Sequence, residues 1–339
     1  MTIAFRHFPY LVQQQVLDQI DLFDIFSIYS ISKKGRALAR SYFSGNKFEL
    51  RYIVGQEQFW IHRTPSSKHY CYHSDHVYIV VRNGFEVFKN PSFFTQYGNS
   101  FTTSSNYSED TNESRQKMLN FVRESFPRLQ LYLKFSYLNL AGFLDTMNFV
   151  RCFNAPIKRV DAGVRIRANT ELVRAVMTQC SDVKELQILC SRYSPFQYDF
   201  RTHAPFKFDF FELQCSTWGT KDQLTLFLSC KKVIVTAVQG LHYTDQELTE
   251  FCKKWLEAPE MQHLQIEKVR TALEGIGKLP GAVPVQEVTV GDRKLKFGNG
   301  KKCFMMKKAN GTHAIVYQDV VERIFFRTDF QNAVIDEDL

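Results

Sequence analysis

The sequence predicts an α+β or α/β chain built from three successive parts. These are an N-terminal module of three helices, a small antiparallel β region, and a longer, irregular βα region that ends in a β-hairpin. Helical spacing of apolar residues dominates up to Phe43, and runs of aromatic and β-branched residues follow from Lys47 to about Asn90. Strand-like and helix-like runs then alternate along most of the remaining chain.

The composition indicates a folded intracellular protein. The chain has 339 residues, of which 44% are hydrophobic, and a net charge of +8. No run approaches the roughly 20 apolar residues of a membrane helix, and the start lacks the basic and apolar regions of a signal peptide. The 8 cysteines form no C-x-x-C pair and are typical of reduced core thiols. We therefore expect a cytoplasmic or nuclear protein, or one found in both, without membrane association.

The first module, residues 5–44, carries three short helical patterns. Pro9 suits a first helical turn because its missing N–H would be unpaired there. Asp21 and Ser32 are predicted N-caps of the second and third helices. Leu11 lies among polar residues and is a candidate for an exposed contact. The apolar residues of the first two helices are more numerous than one stripe needs: Val12, Val16, Leu17, Ile20, Leu22, Ile25, Phe26, Ile28 and Tyr29. Such a surplus suggests docking on a partner.

Without a gap, this module resembles the F-box, whose pattern reads roughly L-P-x-x-L-x-x-x-I-L-x-x-L-D-x-x-D-L-x-x-L-x-x-V-S-K. The matching residues are Phe8-Pro9, Val12, Val16-Leu17, Ile20-Asp21, Asp24-Ile25, Ile28 and Ile31-Ser32-Lys33. Phe8 replaces the usual Leu, and Gly35-Arg36 stand where an aromatic residue often follows. The resemblance implies a surface for the Skp-type adaptor of SCF ubiquitin ligases, formed by Phe8, Pro9, Leu11, Val12, Val16, Leu17, Ile20, Leu22, Ile25, Phe26 and Ile28. The alternative is an ordinary three-helix cap on a larger domain.

Residues 45–97 are predicted to form the small antiparallel sheet, with Asn83-Gly84 as a hairpin turn. His69, Cys71 and His73 would share one strand face. We interpret this as strand alternation and expect no metal, because zinc sites usually take ligand pairs from two elements and no second pair is evident. The polar residues 98–115 are predicted to form a mobile loop.

Residues 116–330 contain strand-like runs that begin near residues 128, 157, 183, 208, 231 and 261, with helical patterns between most of them. Their spacing of roughly 22 to 31 residues is that of leucine-rich repeats. A βα unit of this length buries its apolar face by stacking on its neighbours, which predicts a repeat-like array with a parallel sheet. The alternative is a compact domain with a mixed sheet. Asn310-Gly311 predicts a hairpin over residues 302–318, and residues 331–339 read as an acidic tail.

The later part of this region resembles the F-box-associated domain (type 2-like) of the expanded nematode F-box families. The resemblance spans about residues 115–330. It depends on a helix ending in Lys254-Trp255, on the strand His263–Glu267 and on the closing strands around a Gly-Thr turn. It implies a domain that recognises a protein substrate.

A basic stretch lies between residues 293 and 308, without an acidic residue. A solvated strand face explains it most simply, and a patch that faces an acidic substrate is a sharper interpretation. The patch would comprise Arg293, Lys294, Lys296, Lys301, Lys302, Lys307 and Lys308. Nucleic-acid binding is the remaining alternative, although no nucleic-acid-binding motif accompanies the charge.

The sequence contains none of the motifs G-x-S-x-G, G-x-x-x-x-G-K, G-x-G-x-x-G or H-E-x-x-H. We therefore expect a non-catalytic protein without cofactors. The resemblance implies the substrate receptor of an SCF-type ligase, which binds the adaptor, through it a cullin, and an unidentified protein substrate. A scaffold that holds the adaptor without a cullin stays open as an alternative.

Overall fold

The computed structural model describes residues 8–54, 58–64, 76–82, 84–88, 120, 122–135, 139–152, 155–164, 170–190, 198–215, 221–241, 243–269, 273–297, 302–319 and 321–335. These residues form a mixed α/β protein with many strands and several helices, as the sequence predicts. The chain divides into two compact units. The first comprises residues 1–136 and 145–158, and the second comprises residues 137–144 and 159–339.

The helices are short, and most of them precede or separate strands. They are α1 (Tyr10–Asp18), α2 (Leu22–Ile31), α3 (Lys33–Gly45), α4 (Leu140–Arg151), α5 (Thr170–Gln179), α6 (Lys221–Thr225), α7 (Asp245–Glu257) and α8 (Glu274–Gly277). A 3-10 helix spans Phe200–His203.

The strands occupy much of the remaining described chain. They are β1 (Lys47–Val54), β2 (Gln58–Thr64), β3 (His76–Arg82), β4 (Gly84–Phe88), β5 (Leu129–Phe135), β6 (Ile157–Val164), β7 (Glu185–Cys190), β8 (Phe210–Cys215), β9 (Lys232–Leu241), β10 (His263–Val269), β11 (Val283–Val290), β12 (Arg293–Lys296), β13 (Cys303–Lys307), β14 (His313–Gln318), β15 (Ile324–Arg327) and β16 (Gln331–Ile335).

The first unit places the three N-terminal helices before a sheet with the strand order β5-β1-β2-β3-β4. The pairs β1–β2, β2–β3 and β3–β4 are antiparallel, as expected for the small β region. Its core is aromatic. The ring of Phe43 lies 4.4 Å from that of Phe126 and 5.7 Å from that of Phe48, measured between centroids. This cluster joins α3 to the start of the sheet.

The position of β5 differs from the expected domain organisation, in which this strand opened the repeat-like region after residue 116. It belongs to the first unit and pairs in parallel with β1, where Phe48 faces Leu129 and Tyr52 faces Leu133. Both strands turn alternate apolar side chains into the same core, including Leu50, Leu131 and Leu133. Burial on that shared core explains the pairing.

The second unit contains a parallel array. The strands β7, β8, β9 and β10 follow β6 in chain order, and each is parallel to its predecessor. Neighbouring parallel strands in chain order are the arrangement that the repeat spacing predicts. The array is not the whole sheet, however. Beyond β10 the order continues β15-β14-β13-β11-β12 with antiparallel pairs, so the sheet of this unit is mixed.

The C-terminal strands confirm one local prediction and change another. β13 and β14 form the predicted hairpin, in which Lys307 faces His313 and Gly311 adopts a φ of 87°, a conformation that glycine tolerates. Residues 331–335, expected to begin an acidic tail, instead form β16, which pairs with β11. Ala333 packs against the core that contains Val285, so the strand is held by apolar contact as well as by backbone pairing.

Several sequence expectations fall on undescribed residues. His69, Cys71 and His73, the polar segment 98–115 and residues 336–339 lie outside the described residues. Within the described ranges, no group of three His, Cys, Asp or Glu side chains is placed to hold a metal ion. None of the helices in the described part of the chain is long and apolar enough to cross a membrane.

Candidate functional site

Helix α1 exposes several large apolar side chains. The exposed fractions are 53% for Tyr10, 72% for Leu11, 36% for Val12 and 37% for Val16. Among the described residues, the other large apolar side chains with comparable exposure are Val321 and Val334. The four residues of α1 thus form a cluster on one helix, which we call the α1 patch. Clustered exposure of this kind marks interaction surfaces more often than isolated exposed residues do.

The α1 patch is presented by a helix whose inner side and C-terminal end are fixed. Leu17 is fully buried beneath it. The guanidinium of Arg63, on β2, donates to the Asp18 carbonyl at 2.9 Å and to the Ile20 carbonyl at 3.0 Å. The Tyr42 hydroxyl donates to Asp18 Oδ1 at 2.8 Å. A cation on the last carbonyls of a helix also favours the helix dipole, so the sheet holds α1 in one orientation.

The predicted contact residues of α1 and its flanks divide into two groups. Leu11, Val12 and Val16 are exposed, as is Pro9, whereas Phe8 and Ile20 are half-buried and Leu17 is buried. The predicted exposure of Leu11 is confirmed. Tyr10, which was not singled out from the sequence, belongs to the exposed group. Its position at the start of the helix, next to Leu11, was the available signal.

The predicted contact residues of α2 require a correction. Leu22 and Ile25 have no exposed surface, and Phe26 keeps 6%. The Phe26 ring lies 5.3 Å from that of Phe43 and 5.8 Å from that of Phe126. The surplus apolar residues of α2 are therefore covered by the chain itself, and a partner could not reach them without unfolding the module. Ile28 remains half-buried.

The junction between α2 and α3 explains a departure from the F-box pattern. Ser32 caps α3, and its Oγ accepts a hydrogen bond from the Gly35 N–H at 3.0 Å, as the sequence predicts. A Cβ placed on Gly35 would lie 2.2 Å from the Ile28 carbonyl oxygen. Two backbones approach closely at this point, so a larger residue does not fit. Arg36, the next residue, places its guanidinium 5.3 Å from the Tyr29 ring centroid.

The basic stretch does not form one free positive surface. Glu287 on β11 pairs with both Lys294 and Lys296, and Glu274 pairs with Lys302 at 3.0 Å. Arg293 and Lys307 are exposed, while Lys301 lies outside the described residues. Acidic residues outside the basic stretch thus neutralise part of its charge, and the predicted substrate-facing patch is dispersed.

Lys308 was expected on that patch, and this expectation is wrong because the side chain is 3% exposed. Its Nζ donates to the Met261 carbonyl at 2.9 Å and lies 4.7 Å from the Trp255 ring centroid. Burial lowers the pKa of Lys308 to about 8. The carbonyl and the aromatic face are the kinds of partner that a buried cation needs.

Comparison with protein families, curated proteins and solved structures gives no match for this chain. The α1 patch therefore rests on the residues and their geometry.

Proposed function

We propose that this chain is the substrate-recognition subunit of an SCF-type ubiquitin ligase, which binds the Skp-type adaptor through an F-box at residues 5–44 and a protein substrate through its C-terminal region. The observation that carries the proposal is the α1 patch. It lies on the first helix of a three-helix module whose sequence resembles the F-box without a gap, and each of its side chains keeps at least 36% of its surface exposed.

The mechanism is proximity. A receptor bound to the ligase through α1 and to a substrate through its second unit raises the effective concentration of the ubiquitin-transfer machinery at substrate lysines. This role requires no catalytic residue and no cofactor from the chain. It also places the chain inside the cell, where the adaptor and a cullin would be its partners.

The adaptor contact that we propose is limited to the exposed residues of the α1 patch, which are fewer than the sequence pattern names. Full burial of a leucine side chain contributes roughly 1.5–3 kcal/mol. Because Leu11 is 72% exposed, its truncation to alanine should weaken adaptor binding by about 1–2 kcal/mol, or roughly 5- to 30-fold in Kd. A charge at the same position should weaken it further, since a carboxylate would be buried without a partner.

The test is capture of the full-length chain by a purified, immobilised Skp-type adaptor. We expect Leu11→Asp combined with Val16→Asp to abolish capture. Val321→Asp is the matched control, because it also replaces an exposed apolar residue by a carboxylate, in the second unit. It should be captured like the unmodified chain. Leu17 is unsuitable for this purpose, since a charge at that fully buried position would unfold the module.

Equal capture of the α1 double variant and the control would contradict the adaptor proposal, provided that both keep the melting temperature of the unmodified chain. Gel filtration of the adaptor complex with a purified cullin is the second measurement. Co-elution of the cullin is expected of a ligase receptor and would not occur for a scaffold that holds only the adaptor.

A further inference from the structure

The parallel strands of the second unit have one apolar and one polar face. On the apolar face, Leu186, Phe211 and Leu264 have no exposed surface. The turn that follows α6 packs there, since the ring of Phe227 lies 4.6 Å from that of Phe211 between centroids. The alternate residues of β6 to β10 point to the opposite side of the sheet. We call that side the polar face. It carries the cations Arg159 and Lys232 and the acidic and amide side chains of Asp161, Glu185, Gln187, Glu212, Gln265 and Glu267.

The register of the strands brings these side chains into rows. Asp161, Gln187 and Glu212 are neighbours across β6, β7 and β8, and the row continues through Ile234 to Gln265. The exposed fraction is 10% for the Asp161 side chain and 25% for that of Glu185. A parallel sheet usually has both faces covered by apolar side chains. A polar, partly solvated face on such a sheet is therefore a feature that requires an explanation other than core packing.

Some of the carboxylates on the polar face are neutralised by the chain and others are not. Arg159 Nε lies 2.8 Å from Asp161 Oδ1, and Arg159 Nη1 lies 3.6 Å from Glu185 Oε2. Glu212 and Glu267, in contrast, accept hydrogen bonds only from neutral amides, those of Gln187 and Gln265, each at 2.9 Å. Within the described ranges neither glutamate forms an ion pair.

Glu212 is an unfavourable site for a charge. Its carboxylate is half-buried on the sheet, and desolvation raises its pKa. The Gln187 amide and the charge of Arg159 oppose this rise, and the charges of Asp161 and Glu267 reinforce it. A partly desolvated carboxylate without a cation costs stability in the free chain. A cation supplied by a partner would remove that cost.

A buried histidine lies on the same side of β10. His263 is 6% exposed, and among the described residues its Nε2 has no hydrogen-bond partner. Its Nδ1 lies 3.9 Å from the Asp329 carboxylate, which Arg327 holds with bonds of 2.8 Å and 2.6 Å. Lys232 faces His263 from β9, so this end of the face also carries cations. Within the described ranges, the carboxylates of Glu212 and Glu267 are thus the ones that lack an ion pair, and their natural complement is a set of N–H donors.

We propose that the polar face of β6 to β10 binds a segment of a partner protein that carries lysine or arginine, with the cation paired to Glu212 and Glu267. The chain as a whole has a net charge of +8, which repels basic ligands, so that attraction of a basic segment requires a specific acidic surface. If the chain is a ligase receptor, this face is where its substrate would bind, but the binding itself does not depend on the adaptor.

The experiment is selection of a phage-displayed library of random dodecapeptides on the immobilised full-length chain. We expect the selected peptides to be enriched in Lys and Arg relative to the starting library. The same selection on Glu212→Gln combined with Glu267→Gln should lose that enrichment. Glu171→Gln is the matched control, because Glu171 is an exposed carboxylate on α5, on the helical side of the sheet. It should select the same basic peptides as the unmodified chain.

The affinity of the most enriched peptide is then measured by fluorescence anisotropy. The double glutamine variant should bind at least about tenfold more weakly, since it removes both carboxylates that would pair with the peptide cation. No enrichment of basic residues, or equal affinity for the double variant and the control, would overturn the proposal. Selection of acidic or purely apolar peptides would overturn it as well.

A thermal melt excludes a merely structural role. Glutamine keeps the shape of Glu212 and can still accept the Gln187 amide bond, but it removes the desolvated charge. We expect Glu212→Gln to preserve or raise the melting temperature while it weakens peptide binding. A fall in both would mean that Glu212 serves the fold, and the proposal would fail. Adaptor capture by the double glutamine variant should be unchanged, so that failure of this inference and failure of the adaptor proposal can be told apart.

Discussion

Replacement of Lys308 by methionine should change how stability depends on pH. The pKa of this lysine is about 8, lowered from 10.5 by burial. The unfolded chain therefore holds a proton on Lys308 between pH 8 and 10.5, whereas the folded chain releases it. Where the unfolded state binds more protons, stability rises with pH. The shift corresponds to about 3 kcal/mol, gained by the folded chain across that window.

Methionine fits the site because it has a similar length and no charge. The Met261 carbonyl, which Lys308 contacts, also accepts a hydrogen bond from Trp255 Nε1 at 3.1 Å and so keeps a partner. We expect Lys308→Met to be as stable as the unmodified chain, or more stable, at pH 7. Its advantage should then shrink by about 3 kcal/mol as the pH rises to 10.5.

Urea unfolding followed by circular dichroism at several pH values measures this difference. Lys307→Met is the matched control, since it removes a neighbouring lysine whose side chain is exposed rather than buried. A constant difference between Lys308→Met and the unmodified chain from pH 7 to 10.5 would refute the reasoning. So would a destabilisation of several kcal/mol at pH 7, which would show that the cation stabilises the site.

Three further predictions concern local features. Gly35→Ala should lower the melting temperature and weaken adaptor capture, because the added Cβ would lie 2.2 Å from the Ile28 carbonyl oxygen and force α2 and α3 apart. Thr244→Ala should cost about 1 kcal/mol in urea unfolding, since Thr244 and Glu247 form a reciprocal capping box at the start of α7. Iodoacetamide at pH 7.5, followed by mass spectrometry, should alkylate the exposed Cys152 well before the buried Cys230 and Cys252, whose pKa values burial raises to about 12.

Helix caps and turns could be predicted from the sequence, because a few adjacent residues determine their conformation. Ser32 caps α3 because a hydroxyl three residues before an N–H can satisfy it, and Asn310-Gly311 turns a hairpin because glycine tolerates a positive φ. The parallel pairing of neighbouring strands after β6 followed from the repeat spacing. These features depend on short segments or on a regular period, both of which are visible in one sequence.

The pairing of β5 and the burial of side chains could not be predicted from the sequence in this way, because they depend on contacts between distant residues. Strand β5 pairs with β1, some eighty residues earlier in the chain. Phe26 looked like a partner contact because its helix has surplus apolar residues, yet Phe126 covers it. The sequence predicts Lys308 as a surface cation, because none of the residues next to it in the sequence indicates its contact with the Trp255 ring. Burial is a property of the whole fold, so composition and periodicity alone do not determine it.

The two proposed binding surfaces lead to one criterion that separates binding residues from structural ones. Leu11 exposes apolar surface, and Glu212 keeps a charge that is partly desolvated, so both side chains are better accommodated in a complex than in the free chain. Natural proteins retain such local conflicts mainly where function requires them. Substitution by glutamine should therefore leave the stability of the free chain unchanged or higher while it weakens binding. At Leu17 and Leu213, which are fully buried, the same substitution should lower stability and binding together. The sign of the stability change thus identifies which residues serve a partner and which serve the fold.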